Sequence, residues 1–137
     1  DAAAHALAAQ CLTVIGEVTA RTGGTVVKTI GDGAMTTFPS ADMAYQAATE
    51  IQDALRGGHL SIKIGFHVGP VLVADGDVFG DTVNLAARVL ARSGPGEILL
   101  TGACLDTIRP EWRSSVSLLD TTPVKENCGN FWPIPNM

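Results

Sequence analysis

No apolar run in this sequence approaches the roughly 18 residues that a membrane span requires, so no membrane contact is expected from this segment. Basic residues are scarce: 9 Lys and Arg stand against 14 Asp and Glu, a net charge of -5. That balance argues against a nucleic-acid partner, whose surface needs an excess of cations on one face. A phosphate ligand stays compatible, because metal ions or one or two placed cations offset its charge. Cysteine is sparse as well. Cys11, Cys104 and Cys128 are odd in number, far apart and without metal-ligand spacing, and read as idle or buried thiols of a reducing cytosol. Repeats and low-complexity stretches are absent apart from an alanine-rich start. That start, Asp1-Ala2-Ala3-Ala4-His5, reads as helix rather than signal peptide. The first residue is not Met, so the chain is expected to be part of something longer.

What is present suits one folded domain. The 137 residues are 46% hydrophobic and 17% charged, enough apolar material for a single core and too little length for two ordinary domains. Leu7, Cys11, Val14, Ile15 and Val18 recur at helical spacing until Gly23-Gly24. The β-branched run at residues 25–30 predicts a strand, Gly31-Asp32-Gly33 a tight turn, and residues 34–38 its antiparallel partner. Ser40 is placed to cap a second helix, with Ala44, Ala47, Ala48, Ile51 and Leu55 on one face. Leu60, Ile62, Ile64, Phe66 and Val68 alternate with Ser61, Lys63, Gly65 and His67, the pattern of a half-buried strand. Residues 81–92 read as a third helix, 97–100 as a short strand and 101–108 as a short helix. Beyond Trp112 a weak hairpin pattern and a Pro-rich tail remain. This order predicts an α/β (α+β) domain with helices on one face of a mixed or antiparallel sheet. A strand ahead of the first helix would complete a ferredoxin-like βαββαβ core, and none precedes it here.

Two stretches carry chemistry. Lys28-Thr29-Ile30-Gly31-Asp32-Gly33 sets a lysine on a strand and a carboxylate at a hairpin tip, where flanking glycines let a phosphate or metal approach. By itself Gly-Asp-Gly is more often a plain type I′ turn. In the second stretch, residues 77–88, Asn84 and Arg88 lie four apart on one helix face, with Val83, Ala87 and Leu90 free to pack on a core. Asp77 precedes them where a loop enters the helix. Alone, an Asn/Arg pair at this spacing is usually a solvated stripe.

Taken together, in order, the two are far more specific. Lys28-x-x-Gly31-Asp32, then Gly65-Phe66-His67-Val68-Gly69, then Asp77-x-x-Gly80-x-x-Val83-Asn84-x-Ala86-x-Arg88 resembles the class III adenylate and guanylate cyclases. The resemblance is strongest over residues 23–101, closes on Gly94-Pro95-Gly96-Glu97-Ile98-Leu99-Leu100-Thr101, and is poor over residues 120–137. It implies one partial catalytic domain over residues 1–137, converting ATP to 3′,5′-cyclic AMP and pyrophosphate with two divalent ions, Mg²⁺ or Mn²⁺. It implies a homodimer with shared active sites. By the same resemblance Asp32 is one of two metal aspartates, Lys28 and Asp77 read the purine, Asn84 orients the ribose, and Arg88 stabilises the phosphoryl transition state. Lys125, in Val124-Lys125-Glu126, matches a lysine that contacts the triphosphate, although Glu126 replaces the family's glycine. His67 is read as structural rather than as a general base, and the short connection from Val71 to Asp77 as a short dimerisation arm.

Donor and acceptor patterns favour adenine. Its exocyclic amine can donate to the Asp77 carboxylate, while Lys28 donates to a ring nitrogen. Guanylate cyclases of the family tend to carry Glu and Cys at those places. The family's first metal aspartate, on a strand before the first helix, has no counterpart in residues 1–137. A cyclase-like module that binds nucleotide or dimerises without turnover is therefore the alternative. Diguanylate cyclases are marked by a Gly-Gly-Asp/Glu-Glu-Phe hairpin, and Ile30-Gly31-Asp32-Gly33-Ala34 does not fit it.

Overall fold

Alanine decides how the second helix meets the sheet. Ala44, Ala47 and Ala48 form a stripe with Ile51 and Leu55, every one of them at most 1% exposed, so backbone and sheet approach closely. This helix, α2 (Ala41–Gly57), starts where expected: Ser40 has extended backbone and its Oγ accepts from the Met43 N–H at 3.2 Å. The computed structural model describes residues 2–58, 60, 62–113 and 132–135. Before α2 come α1 (Ala2–Arg21), β1 (Thr25–Ile30) and β2 (Gly33–Phe38). After it come β3 (Ile64–Phe66), β4 (Leu72–Ala74), β5 (Asp77–Phe79), α3 (Asp81–Arg92), β6 (Ile98–Leu100), α4 (Gly102–Leu105), α5 (Pro110–Arg113) and β7 (Trp132–Pro135).

The α+β class holds. Strands β1 and β2 form an antiparallel hairpin, β3 pairs with β6 in parallel, and β4 with β5 antiparallel. Strand β7 runs parallel to β2 along its other edge and lies against β3, α2 and α3. It therefore stands between the β1–β2 hairpin and the β3–β6 pair. Pro133 and Pro135 have no N–H to donate, and among the described residues no ladder joins β7 to β3.

The helices were expected on one face, and they occupy both. Ile64 and Phe66, both 0% exposed, point into a core shared with Ile15 and Val18 of α1 and with the α2 stripe. Gly65 between them points the other way, against Val89 and Leu90 of α3. Likewise Ala34 and Phe38 face α1 and α2, whereas Met35 joins Val78, Ala86, Ala87 and Leu90 in a second cluster under α3. The sheet is thus sandwiched, and β2 is buried along its whole length.

Gln52 of α2, 2% exposed, ties the layers by donating to the carbonyls of Ile62 at 2.7 Å and Glu97 at 3.3 Å. The strand expected over residues 60–68 is shorter, because its partner β6 offers only three residues to pair with. The hairpin expected beyond Trp112 falls on residues 114–131, outside the described residues.

Candidate active site

Lys28 faces the right way because of the tight turn that closes the hairpin. From that turn Ile30 pairs with Gly33, Thr29 with Ala34 and Lys28 with Met35, and β1 becomes irregular only before Lys28. Val26 pairs with Thr36 but Lys28 pairs with Met35, so Val27 is an extra residue, a β-bulge. Directly opposed residues share a face, which puts Lys28 and Ile30 with Met35 on the α3 side of the sheet. The bulge lies on the far side of Lys28 from the turn, so it changes which way Val26 points and leaves Lys28 in place.

Asp77 reaches the same place from the other direction. Asp75 (φ 52°) and Gly76 (φ 73°) make the two-residue turn between β4 and β5, both in the left-handed region that a type I′ turn needs. Val78, 5% exposed, anchors β5 in the cluster under α3. Asp77, its neighbour, faces away and meets Lys28. Lys28 Nζ donates to Asp77 Oδ2 at 2.8 Å, and the Val78 N–H donates to Oδ1 at 2.8 Å. The hydrogen bond from Lys28, followed by that from Val78, holds the Asp77 carboxyl below its ordinary value. Both side chains remain open to solvent, at 42% and 28% exposure.

Helix α3 carries the other two predicted residues. Gly80, at φ 123°, turns the chain from β5 into the helix. Thr82 fastens its first turn by donating to the Pro70 carbonyl at 2.6 Å. Ala86, Ala87, Val89 and Leu90 are buried, while Asn84 and Arg88 are exposed one turn apart. Among the described residues neither side chain is engaged in a hydrogen bond or ion pair, so both are available to a ligand.

Asp32 is exposed at the β1–β2 tip. Gly31 alone has positive φ there, at 60°, so the turn follows the II′ pattern rather than the I′ pattern expected. Among the described residues no group of three or more His, Cys, Asp or Glu could hold a metal ion. Asp32 by itself does not fit a two-ion site. Lys125 lies outside the described residues.

His67 is engaged elsewhere. Its Nδ1 lies 2.6 Å from Thr101 Oγ1, beside the start of α4. Thr101 Oγ1 also lies 3.6 Å from Cys104 Sγ, and Cys104 Sγ 3.8 Å from the Phe66 carbonyl oxygen. Burial lowers the His67 pKa and pushes the Cys104 thiol up to about 11. The chain of bonds clips the end of β3 to α4. The bulge at Val27 and the β4–β5 hairpin were missed from sequence, although Asp75-Gly76 between apolar neighbours was a usable hairpin signal.

Residues 4–131 match the adenylate and guanylate cyclase catalytic domain family. An uncharacterized protein of Mycobacterium tuberculosis is 39% identical over 92 residues, covering 66% of this chain and 24% of that protein. An adenylate cyclase of Glutamicibacter nicotianae is 30% identical over 105 residues, covering 75% of this chain and 26% of its own length. The matched stretch thus spans about a quarter of these relatives. A crystal structure of an adenylate/guanylate cyclase/hydrolase from Silicibacter pomeroyi superposes with a TM-score of 0.53 at 33% identity, covering 67% of this chain and 59% of that one. With the match running over nearly its whole length, the chain belongs to the adenylate and guanylate cyclase catalytic domain family.

Proposed function

We propose that the chain is the greater part of an adenylate cyclase domain, making 3′,5′-cyclic AMP and pyrophosphate from ATP at a site shared by two copies. The observation that carries the reading is the Lys28–Asp77 contact at 2.8 Å, which sets a cationic donor and an anionic acceptor side by side. An ammonium has three donors and a carboxylate about four acceptor positions. With one bond spent on each other and one Asp77 oxygen on Val78, both keep capacity for a base. Adenine, donating from its amine and accepting at the adjacent ring nitrogen, suits that edge better than guanine.

The reaction forms a bond from the ribose 3′-oxygen to the α-phosphorus and breaks the bond to the bridging oxygen of the leaving pyrophosphate. Asn84, with amide donors and an acceptor, is assigned to hold the ribose, and Arg88, one turn on, to carry the charge that builds on the phosphoryl oxygens. Positioning and charge stabilisation account for most of such catalysis. The family is generally divalent-metal dependent. Asp32 is assigned as one ligand of two Mg²⁺ or Mn²⁺ ions, the remainder coming from outside the described residues.

A homodimer is the assigned partner arrangement, and the exposed Leu72 (71%) and Val73 (69%) of β4 offer it apolar surface. The domain is read as a cytosolic part of a larger protein; among the described residues no helix is long and apolar enough to cross a membrane. The lone carboxylate at the β1–β2 tip favours a second reading, a module that binds ATP without turning it over. Equilibrium binding of ATP and GTP to the wild-type chain and to Lys28→Met/Asp77→Asn tests the base assignment. The double variant should lose the preference for ATP, and an unchanged preference overturns the reading.

A further inference from the structure

Asp77 does not stand alone on its face of the β4–β5 hairpin. Phe79, two residues along the same strand, projects to the same side, and Leu72 lies directly opposite Phe79 in the ladder. Phe79 is 49% exposed and Leu72 71% exposed, whereas Val78 between Asp77 and Phe79 takes the buried position. The hairpin therefore presents a charged end, held by Lys28, and an apolar aromatic end about 6.6 Å further along. That separation is comparable to the long axis of a purine.

We propose that Phe79 is the platform on which the purine ring of the nucleotide lies while its polar edge is held by Lys28 and Asp77. This rests on the base assignment made above and adds a residue to it. Three properties support the placement. The ring is on a strand, so its backbone is fixed by the ladder from Leu72 to Phe79. It remains substantially exposed, and so keeps apolar surface for a ligand to cover. Its neighbour Gly80 has no side chain and sits at φ 123°, leaving open space beside the ring where the helix begins. A planar base laid there would cover apolar surface, and stacking adds to that gain without reading the base identity. Phe79 would thus contribute affinity for any purine, and Lys28 with Asp77 the choice between them.

The test uses the 137-residue chain and two probes, ATP and inorganic tripolyphosphate, which lacks base and ribose. Phe79→Ala should weaken ATP by about tenfold and leave tripolyphosphate unchanged. Phe79→Trp should restore ATP affinity, and its indole emission should respond to ATP but not to tripolyphosphate. Phe79→Leu keeps the apolar bulk and guards against a folding failure in the alanine variant; it should bind ATP more weakly than Phe79→Trp. Unchanged ATP affinity in Phe79→Ala overturns the proposal, as does an equal loss for both probes. Loss of self-association in sedimentation, unrescued by Trp, would make Phe79 an interface side chain and also overturn it. Lys28→Met/Asp77→Asn separates the two levels: if it loses ATP preference while Phe79→Ala binds normally, only the platform fails. If that double variant behaves as wild type, or wild type binds no ATP, the base assignment itself fails.

Discussion

Gly65 lies so close to helix α3 that a Cβ added to it would meet the Leu90 backbone nitrogen at 2.5 Å. The neighbouring atoms are backbone, so they cannot rotate aside. Gly65→Ala should destabilise the domain by about 1–3 kcal/mol through overpacking. Urea denaturation followed by circular dichroism measures this, and a variant as stable as wild type would mean that α3 is not seated on β3.

Base choice should follow the Lys28–Asp77 pair. Lys28→Glu with Asp77→Cys reverses the hydrogen-bonding edge and should move the kcat/KM ratio towards GTP by roughly tenfold or more. The measurement belongs in a protein extended N-terminally by a first strand bearing the family's aspartates. An unmoved ratio would remove both residues from the base site.

Arg88, exposed on α3 and without a partner among the described residues, is free to act late in the reaction. In the same extended protein, Arg88→Ala should lower kcat by about 10²-fold or more, with a smaller effect on KM. A change confined to KM would assign it to ground-state phosphate binding.

Residues 1–137 alone should give no cyclic nucleotide with Mn²⁺, since one exposed carboxylate holds two ions poorly. Extended proteins carrying Asp32→Ala or Arg88→Ala should each be inactive, and their mixture should regain activity if sites are shared between copies. Turnover by the short chain, or a silent mixture, contradicts a two-ion site built from two subunits.

The contact with Lys28 should also be visible in titration. Asp77 has its pKa lowered in the folded chain, so the stabilisation it gives is present above the ordinary aspartate value of 3.8. It is lost only as pH falls through the lower, folded value. Carbon-detected NMR of the Asp77 carboxyl should show this, and Lys28→Ala should return the midpoint towards the ordinary value.

Much of the fold could be read in the sequence because local signals agreed with the tertiary outcome. Ser40 caps α2 as expected, Gly23-Gly24 ends α1, and α3 spans the residues that its periodicity marked. Lys28 and Asp77 were paired from a resemblance, and the structure brings them together. Other features depend on long-range partners. That α3 covers the opposite face from α2 hinges on which way Gly65 points between Ile64 and Phe66. Strand β7 was hidden because Pro133 and Pro135 read as tail, and only the open edge of β2 gives them a place. His67 showed as polar in a strand pattern, but its partner Thr101 is 34 residues away.

The two-residue turn at Gly31-Asp32 sets the lysine's aim by counting rather than by chemistry. Ile30 pairs with Gly33, Thr29 with Ala34 and Lys28 with Met35, while the bulge at Val27 lies beyond Lys28 and leaves it in place. A deletion of Thr29 would keep Lys28, Asp32 and Asp77 in the chain. Yet Lys28 would then pair with Ala34, and the ammonium would emerge beneath α1, on the far side of the sheet from its carboxylate. The Lys28–Asp77 contact is therefore exposed to the frame-preserving loss of a single codon between lysine and turn, a class of change that comparing site residues alone would pass as silent.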